Sequence, residues 1–131
     1  MFKKPSKPQS RIDTLIGAGT KIEGDVSFSG GLRVDGEIRG NVRCVDGQHG
    51  TLVLSEHARI EGAVSVSHLV INGTVVGPVT TSEFLELQPH ARVTGDVEYN
   101  SVEIHLGAIV EGRLVHGGAT KAVELKLAAS K

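Results

Sequence analysis

Histidines and carboxylates are the side chains of this sequence best suited to chemistry, because imidazole and carboxylate groups bind metal ions and transfer protons. The 131 residues include six histidines, 15 acidic residues and a single cysteine, Cys44. His57 and His90 occupy equivalent places in two similar segments, 55–59 and 88–92. Whether such groups can act together depends on the elements that position them.

A glycine with branched aliphatic residues two positions before and two positions after it recurs along the chain. The motif first appears as Ile22, Gly24 and Val26 and occurs six times, with successive glycines 16, 22, 15, 18 and 17 positions apart. A repeat of this length predicts a solenoid, in which each copy forms one coil and the coils stack. The six glycines are Gly24, Gly40, Gly62, Gly77, Gly95 and Gly112.

Each copy of the repeat predicts strands and corners. A short alternating segment such as Leu32/Val34 precedes the motif, and period-two alternation is typical of a strand with one buried face. Two corners, Asp35-Gly36 and Asn72-Gly73, have the composition of tight turns in which glycine takes a positive φ. The other corners are about five residues long. A strand end is expected four residues after each glycine, at Phe28, Cys44, Val66, Thr81, Tyr99 and His116.

These features predict an all-β fold, a single-domain right-handed parallel β-helix of about six rungs. The core is expected over residues 14–117, between flexible tails at 1–13 and 118–131. An aromatic content of 3% suits a stack of aliphatic layers better than a sandwich built on large rings. A left-handed β-helix of the hexapeptide acyltransferase type is the alternative, but its coils are strictly 18 residues long. The expected core ladder is Ile22, Ile38, Ile60, Val75, Val93 and Val110.

This fold separates the groups that could do chemistry. His57 and His90 would lie two rungs apart, about 10 Å along the stack, which is too far for one metal ion. The remaining histidines (His49, His68, His105 and His116) are expected at solvated linkers, outward positions or a strand end. Asp25 and Asp96 are interpreted as an acidic, solvated face, and Cys44 as a small core residue. We therefore expect no catalytic residue, cofactor or metal site.

The charge is distributed unevenly along the chain. Residues 1–12 carry a net charge of +4 and residues 118–131 carry +2, whereas residues 13–117 hold seven basic and 14 acidic residues, or −7. An acidic body is unsuited to nucleic acid, which needs a basic stripe. No segment has the pattern of a secretory signal or the roughly 18 apolar residues of a membrane span. The sequence thus predicts a cytoplasmic protein.

The two ends of a β-helix expose strand edges and aliphatic side chains. Such edges pair with another chain unless they are covered, so we expect end-to-end association into filaments. A dimer through one end is the alternative, and residues 118–131 could be a partial cap or a frayed tail. The expected polymerisation interface is Leu15, Ile16, Ile22, Val26, Phe28, Ile104, Val110, Leu114 and His116.

The repeated aliphatic-x-Gly-x-aliphatic motif, the small size and the arm beginning Met1-Phe2-Lys3-Lys4 together resemble the bactofilin family. The resemblance implies a right-handed β-helix that polymerises without nucleotide into non-polar filaments, joined head to head and tail to tail. It also implies a cytoskeletal scaffold on the inner face of the cytoplasmic membrane that positions cell-wall synthases or hydrolases, not an enzyme. Many relatives have longer proline-rich ends than this chain. The alternative function is an acyltransferase-like enzyme with a left-handed β-helix.

The N-terminal arm has the composition of a membrane tether. Burying Phe2 in a bilayer contributes about 2 kcal/mol, and each of three lysines adds about 1 kcal/mol at an anionic surface. Together these correspond to an affinity of roughly 0.1 to 1 mM for one subunit, so only a polymer with many arms would bind well. The alternative is a solvated leader without a role. The expected membrane-binding residues are Met1, Phe2, Lys3, Lys4 and Lys7.

Overall fold

The computed structural model describes residues 11–45 and 49–117, which form strands and turns but no helix. Most strands are three residues long, because the repeat places a turn or corner every five to seven residues. The strands are β1 (Thr14–Ile16), β2 (Lys21–Glu23), β3 (Val26–Phe28), β4 (Gly30–Val34), β5 (Glu37–Arg39), β6 (Val42–Cys44), β7 (Gly50–Leu54), β8 (Arg59–Glu61), β9 (Val64–Ile71), β10 (Thr74–Val76), β11 (Val79–Leu87), β12 (Arg92–Thr94), β13 (Val97–Tyr99), β14 (Val102–Ile104), β15 (Ile109–Glu111) and β16 (Leu114–His116).

The strands stack in three columns of six, and all of the pairings are parallel. The first column contains β1, β4, β7, the second half of β9, the second half of β11, and β14. The second column runs from β2 through β5, β8, β10 and β12 to β15. The third contains β3, β6, the first halves of β9 and β11, β13 and β16. One strand from each column makes a rung, and six rungs confirm the predicted parallel β-helix; its right-handed sense stays a prediction.

The core is a set of aliphatic ladders along the axis of the stack. The predicted ladder is confirmed, since Ile22 pairs in register with Ile38 and each later member with the next. Burial in this ladder depends on having a rung on both sides. Ile38, Ile60, Val75 and Val93 are fully buried, whereas Ile22 and Val110, in the first and last rungs, are only partly buried.

The six motif glycines lie one above another and form a glycine column. Glycine is required from the second rung onward because the backbones of consecutive rungs approach closely there. A Cβ atom on Gly40 would overlap the carbonyl oxygen of Gly24, one rung earlier, and each later glycine of the column meets its predecessor in the same way. Gly24 itself has φ of +133°, and no described residue lies within 4 Å of its Cβ position. The first rung therefore presents an open face where a further rung could stack.

The two short corners contain glycine for a different reason from the one predicted. Gly36 and Gly73 do not have positive φ, so the expectation of left-handed turns at these dipeptides is wrong. A side chain on Gly36 would instead overlap the carbonyl oxygens of Gly17 and Thr20 in the long corner of the first rung. Long and short corners thus nest, and only glycine leaves room for the contact.

Polar side chains directly after three of the motif glycines bind backbone amides of the next rung at the same corner. The Asp25 carboxylate accepts a hydrogen bond from the Asn41 amide (2.9 Å), and the Asn41 side chain accepts one from the Ala63 amide (2.9 Å). Asp96 accepts from the Arg113 amide in the same way (3.0 Å). Asp25 and Asp96 are exposed, as expected, but each also joins one rung to the next.

Candidate functional site

Both ends of the stack leave strand edges without a neighbour among the described residues. The first-rung strands β1, β2 and β3 pair only with strands of the second rung. The last-rung strands β14, β15 and β16 pair only with strands of the fifth. Each end therefore offers backbone donors and acceptors over three columns, which is the arrangement that recruits another strand layer.

Exposed apolar side chains concentrate at the same two ends. The described residues include nine exposed large hydrophobic side chains, and only Val45 and Val76 lie in the middle rungs. A protein surface normally scatters such residues singly, so this clustering marks the ends as candidate contact surfaces. The other seven are Ile12, Leu15, Ile104, Leu106, Ile109, Leu114 and Val115.

At the C-terminal end, the predicted interface residues continue the strand columns, and no described rung lies beyond them. Ile104 is in register with buried Leu87, yet 48% of it is exposed, and Leu114 is 44% exposed although its partner Val97 is fully buried. Val110 is partly buried. His116 packs its ring against Tyr99, at 5.5 Å between centroids, and its Nε2 lies 2.9 Å from the Asn100 carbonyl oxygen.

At the N-terminal end, the predicted interface residues differ in solvent exposure and in the surface on which they lie. Ile22, Val26 and Phe28 are partly buried and extend the ladders to the open face of the first rung. Ile16 is buried in the core, whereas Leu15 is exposed on the outward surface, in register with Arg33. The structure thus divides these five residues among the end face, the core and the lateral surface.

The sequence interpretation missed three apolar residues of the last rung. Leu106 is 96% exposed at a corner, and Ile109 and Val115 lie on outward strand positions. A signal for them was present, because register partners of Ile109 and Val115 are the polar Arg92 and Glu98. Leu106 likewise stands where an equivalent corner has Glu56. The last rung thus differs from the other copies in having apolar residues at positions that are polar elsewhere.

The lateral surface carries a network of exposed ion pairs on the second column. Arg39 contacts Glu37 (3.2 Å) and Glu61 (3.7 Å), and Arg59 contacts Glu61 (2.7 Å). The hydrogen bond that Arg59 donates to Glu61 is the main cause that lowers the pKa of Glu61, and the one that Arg39 donates to Glu37 is the main cause that raises the pKa of Arg39. Exposed pairs of this kind stabilise little individually. Their main effect here is to give the lateral surface an alternating pattern of positive and negative charge.

Two carboxylates have their pKa lowered mainly by backbone amides rather than by charge. The Gly31 amide donates to Asp13 (2.9 Å), and the Arg113 amide donates to Asp96 (3.0 Å). These hydrogen bonds favour the ionised form and lower the pKa of both groups. Both bonds connect consecutive rungs at the two ends of the stack.

The sequence predicts that the histidines are solvated, but the structure shows that one of them, His68, is largely buried. His68 lies within β9 with only 14% of its side chain exposed, and its Nε2 is 3.4 Å from a Glu83 oxygen. His49 also contacts Glu83, and His105 contacts Glu86 at 2.9 Å and Glu103 at 3.4 Å. The interpretation failed for His68 because coil lengths and strand continuity decide which residues meet at a corner. His57 and His90 are exposed at their corners, as expected.

The predicted membrane-binding residues lie outside the described residues: Met1, Phe2, Lys3, Lys4 and Lys7. Within the described part of the chain, no helix has the length and apolar character needed to cross a bilayer.

Comparison with known proteins gives a family match and two relatives. A family model described as "Bactofilin: Polymer-forming cytoskeletal" matches residues 14–115. The chain is 26% identical to Bactofilin BacO of Myxococcus xanthus (strain DK1622) over 102 residues, which cover 78% of each protein. It is 28% identical to Bactofilin BacP of the same organism over 115 residues, or 87% of this chain. The match covers 46% of BacP, so the chain spans about half the length of that relative. No solved structure matches the chain.

Proposed function

Because this chain belongs to the bactofilin family of polymer-forming cytoskeletal proteins, we propose that it assembles without nucleotide into filaments by end-to-end stacking of β-helices. The observation that carries the proposal is the coincidence of unpaired strand edges and exposed aliphatic residues at the ends of the stack. Stacking would continue each ladder across the junction and bury side chains that the last rung leaves exposed.

The distribution of apolar residues favours contacts between like ends. Among the described residues, Ile104 and Leu114 on the last-rung end face are 48% and 44% exposed, whereas Ile22, Val26 and Phe28 on the first-rung end face are partly buried. A two-fold contact between two last rungs would match the most apolar surface with itself, whereas a head-to-tail contact would pair it with a less apolar one. Alternating contacts of this kind give a filament without polarity.

A charge placed on the last rung tests the proposal. Leu114→Arg should convert filaments into short species, because burying an unpaired guanidinium in the junction is unfavourable. The matched control is Val76→Arg, which places the same charge on an exposed apolar position of a middle rung. Ultracentrifugation and negative-stain microscopy without nucleotide report the outcome. Pelleting of Leu114→Arg equal to that of Val76→Arg would rule out this interface.

We further propose that the N-terminal residues attach the filament to the inner face of the cytoplasmic membrane. Support comes from the chemistry of Phe2 beside Lys3 and Lys4, with Lys7 nearby. One arm contributes about 5 kcal/mol at most, so attachment depends on many arms acting together. Assembly and membrane binding should therefore reinforce each other.

A filament of identical rods is suited to positioning other proteins, and we propose cell-wall synthases or hydrolases as its partners. The proposal assigns the chain a scaffolding role rather than catalysis. Pull-down experiments with the full chain and with each tail removed would identify the surface that partners use. Recovery of no cell-wall enzyme by the full chain would contradict the assignment.

A further inference from the structure

Three side chains from consecutive rungs converge at the corner between the third and first columns. His49 precedes β7, His68 lies in β9 and Glu83 lies in β11. His49 Nδ1 is 3.1 Å from one Glu83 oxygen, and His68 Nε2 is 3.4 Å from the other. We propose that these residues form a binding site for a divalent transition-metal ion such as Zn²⁺, which would connect three rungs of the β-helix.

The separations suit a tetrahedral ion. The three ligand atoms all lie within 4.8 Å of one another. Ligands about 2.0 to 2.1 Å from a tetrahedral metal are about 3.3 Å apart, close to the two histidine–carboxylate distances. Two imidazoles and one carboxylate also make a ligand set that Zn²⁺ uses, with a fourth position left for water or another ligand. Closing the remaining separation needs only adjustment of the exposed His49 side chain.

A local irregularity in β11 brings Glu83 to this corner. Thr81 pairs with Val66 and Phe84 pairs with His68, so two residues of β11 lie opposite one residue of β9. An extra residue of this kind forms a bulge, which redirects side chains and is frequent beside functional sites. In regular pairing the carboxylate would not lie at this place in the stack.

Buried hydrogen bonds hold the backbone beside both histidines. Ser67 Oγ accepts from the Gly50 amide and donates to the Gly50 carbonyl, with both distances 2.8 Å, and Ser67 is buried. Gly50 follows His49 and Ser67 precedes His68, so this pair of bonds fixes the two ligand-bearing segments relative to each other. A preorganised corner lowers the entropic cost of binding an ion.

The inner nitrogen of His68 has a candidate partner for the metal-bound state. His68 Nδ1 and Thr51 Oγ1 are both buried without a hydrogen-bond partner among the described residues, and Thr51 and His68 are register partners on adjacent strands. A histidine that binds metal through Nε2 carries its proton on Nδ1, where an acceptor orients the ring. A small adjustment that joins Thr51 to His68 would satisfy both groups, so Thr51 is assigned as a positioning residue.

The site opens onto a surface groove. The groove has a volume of about 350 Å³ and its lining includes His49, Glu83, Ser65, Thr80 and Ser82. An ion held by three protein ligands would face this groove with its fourth position. The hydroxyl groups of Ser65, Thr80 and Ser82 could hydrogen-bond a water molecule at that position.

A second trio, Glu86, Glu103 and His105, is a weaker candidate for the same kind of ion. Its ligand atoms are also within 4.8 Å of one another, but it offers only one imidazole, and Glu103 is 59% exposed. Two carboxylates and one imidazole suit Zn²⁺ less well than two imidazoles and one carboxylate. Variants of this trio therefore serve as controls for the assignment.

Titration of untagged, chelator-treated full-length protein with Co²⁺ tests the site. We expect one Co²⁺ per chain with the intense visible absorption of tetrahedral coordination, and its displacement by Zn²⁺. His49→Ala and Glu83→Gln, both at partly or largely exposed positions, should each weaken binding at least about tenfold. His57→Ala/His90→Ala removes two imidazoles elsewhere and should leave the titration unchanged.

Three outcomes would overturn the assignment. The first is a Co²⁺ absorption that is the same in Glu83→Gln as in the wild type. The second is an absorption that is lost only in Glu103→Gln/His105→Ala, and the third is the lack of a tetrahedral Co²⁺ signal in the wild type. Thr51→Val should weaken Co²⁺ binding about tenfold while Thr51→Ser restores it; equal affinities would remove Thr51 from the site. Because the folded chain alone assembles the trio, Zn²⁺ should also raise the melting temperature of wild type but not of Glu83→Gln.

Discussion

At the scale of single residues, the glycine column shows how the repeat is enforced. Each motif glycine from Gly40 onward packs against the carbonyl oxygen of the glycine one rung earlier. The side chain of any other residue would push two rungs apart at a corner where the backbones are closest. Gly24 is the exception, because no described residue occupies the space over its Cβ position.

Gly62→Ala should therefore destabilise the protein by at least about 2 kcal/mol, through both its positive φ and the overlap with the Gly40 carbonyl oxygen. Gly19→Ala is the matched control, since none of the described residues lies within 4 Å of its Cβ position. Its effect should stay within about 0.5 kcal/mol. Urea denaturation followed by circular dichroism measures both, and similar midpoints for the two variants would contradict the close-packing argument.

The lowered pKa values of Asp13, Glu61 and Asp96 predict acid sensitivity. A carboxylate whose pKa is lower in the folded state stabilises the fold above its unfolded pKa of about 4, and this contribution is lost as the pH falls through the folded pKa. The melting temperature should thus change little between about pH 7 and 5 and fall below about pH 4.

Asp96→Asn should make the decrease in melting temperature at low pH smaller than in the wild type. The Asp96 shift comes first from a backbone hydrogen bond, so the difference between variant and wild type should persist at high salt. Identical pH profiles for the two proteins would show that Asp96 makes no such contribution.

At the scale of elements, the rung is the unit of the structure. Rungs with long and short corners stack equally well, because all corner variation lies outside the three strand columns. β9 and β11 each run through a corner and serve two rungs. The stability of such a stack is the sum of neighbour contacts, so removal of one complete rung should preserve the others.

Deletion of residues 63–77 removes one coil and places Gly62 directly before Pro78, which retains the Gly-x-aliphatic pattern. We expect a folded, slightly less stable protein that still pellets, with an axial repeat shorter by about 4.8 Å per subunit in electron micrographs. Deletion of residues 63–70 is the control and should abolish folding, since it breaks the column register. An unchanged axial repeat after removal of the full coil would contradict rung-by-rung stacking.

At the scale of the whole molecule, the proposed assembly and the proposed membrane attachment would use different parts of the chain. The apolar end faces belong to the stack, whereas the proposed tether belongs to the first eight residues, and the body between them carries the acidic charge. An acidic rod is repelled by an anionic bilayer, so the basic arm must supply the attraction.

Deletion of residues 2–8 should release filaments from anionic liposomes in a flotation assay without reducing their pelleting in the absence of lipid. Phe2→Ser and Lys3→Gln/Lys4→Gln separate the apolar contribution from the charged one, and only the latter should depend on salt. Co-flotation of the deletion variant at the wild-type level would exclude the arm as the tether.

The repeat, the strand columns and the central ladder could be predicted from the amino-acid sequence, because a periodic chain satisfies the same local pattern in every rung, and the family could be predicted from the repeated motif. The sequence also indicated which ladder residues would lie at the ends. The reason for glycine at Gly36 could not be derived from it, since that depends on how a short corner nests into a long one.

Only the tertiary structure brought His49, His68 and Glu83 together. These residues are 19 and 15 positions apart in the chain, and their meeting depends on the lengths of two unequal coils and on the bulge in β11. A strand period predicts which face a side chain takes, but the register between coils of different length is fixed by packing of the whole stack.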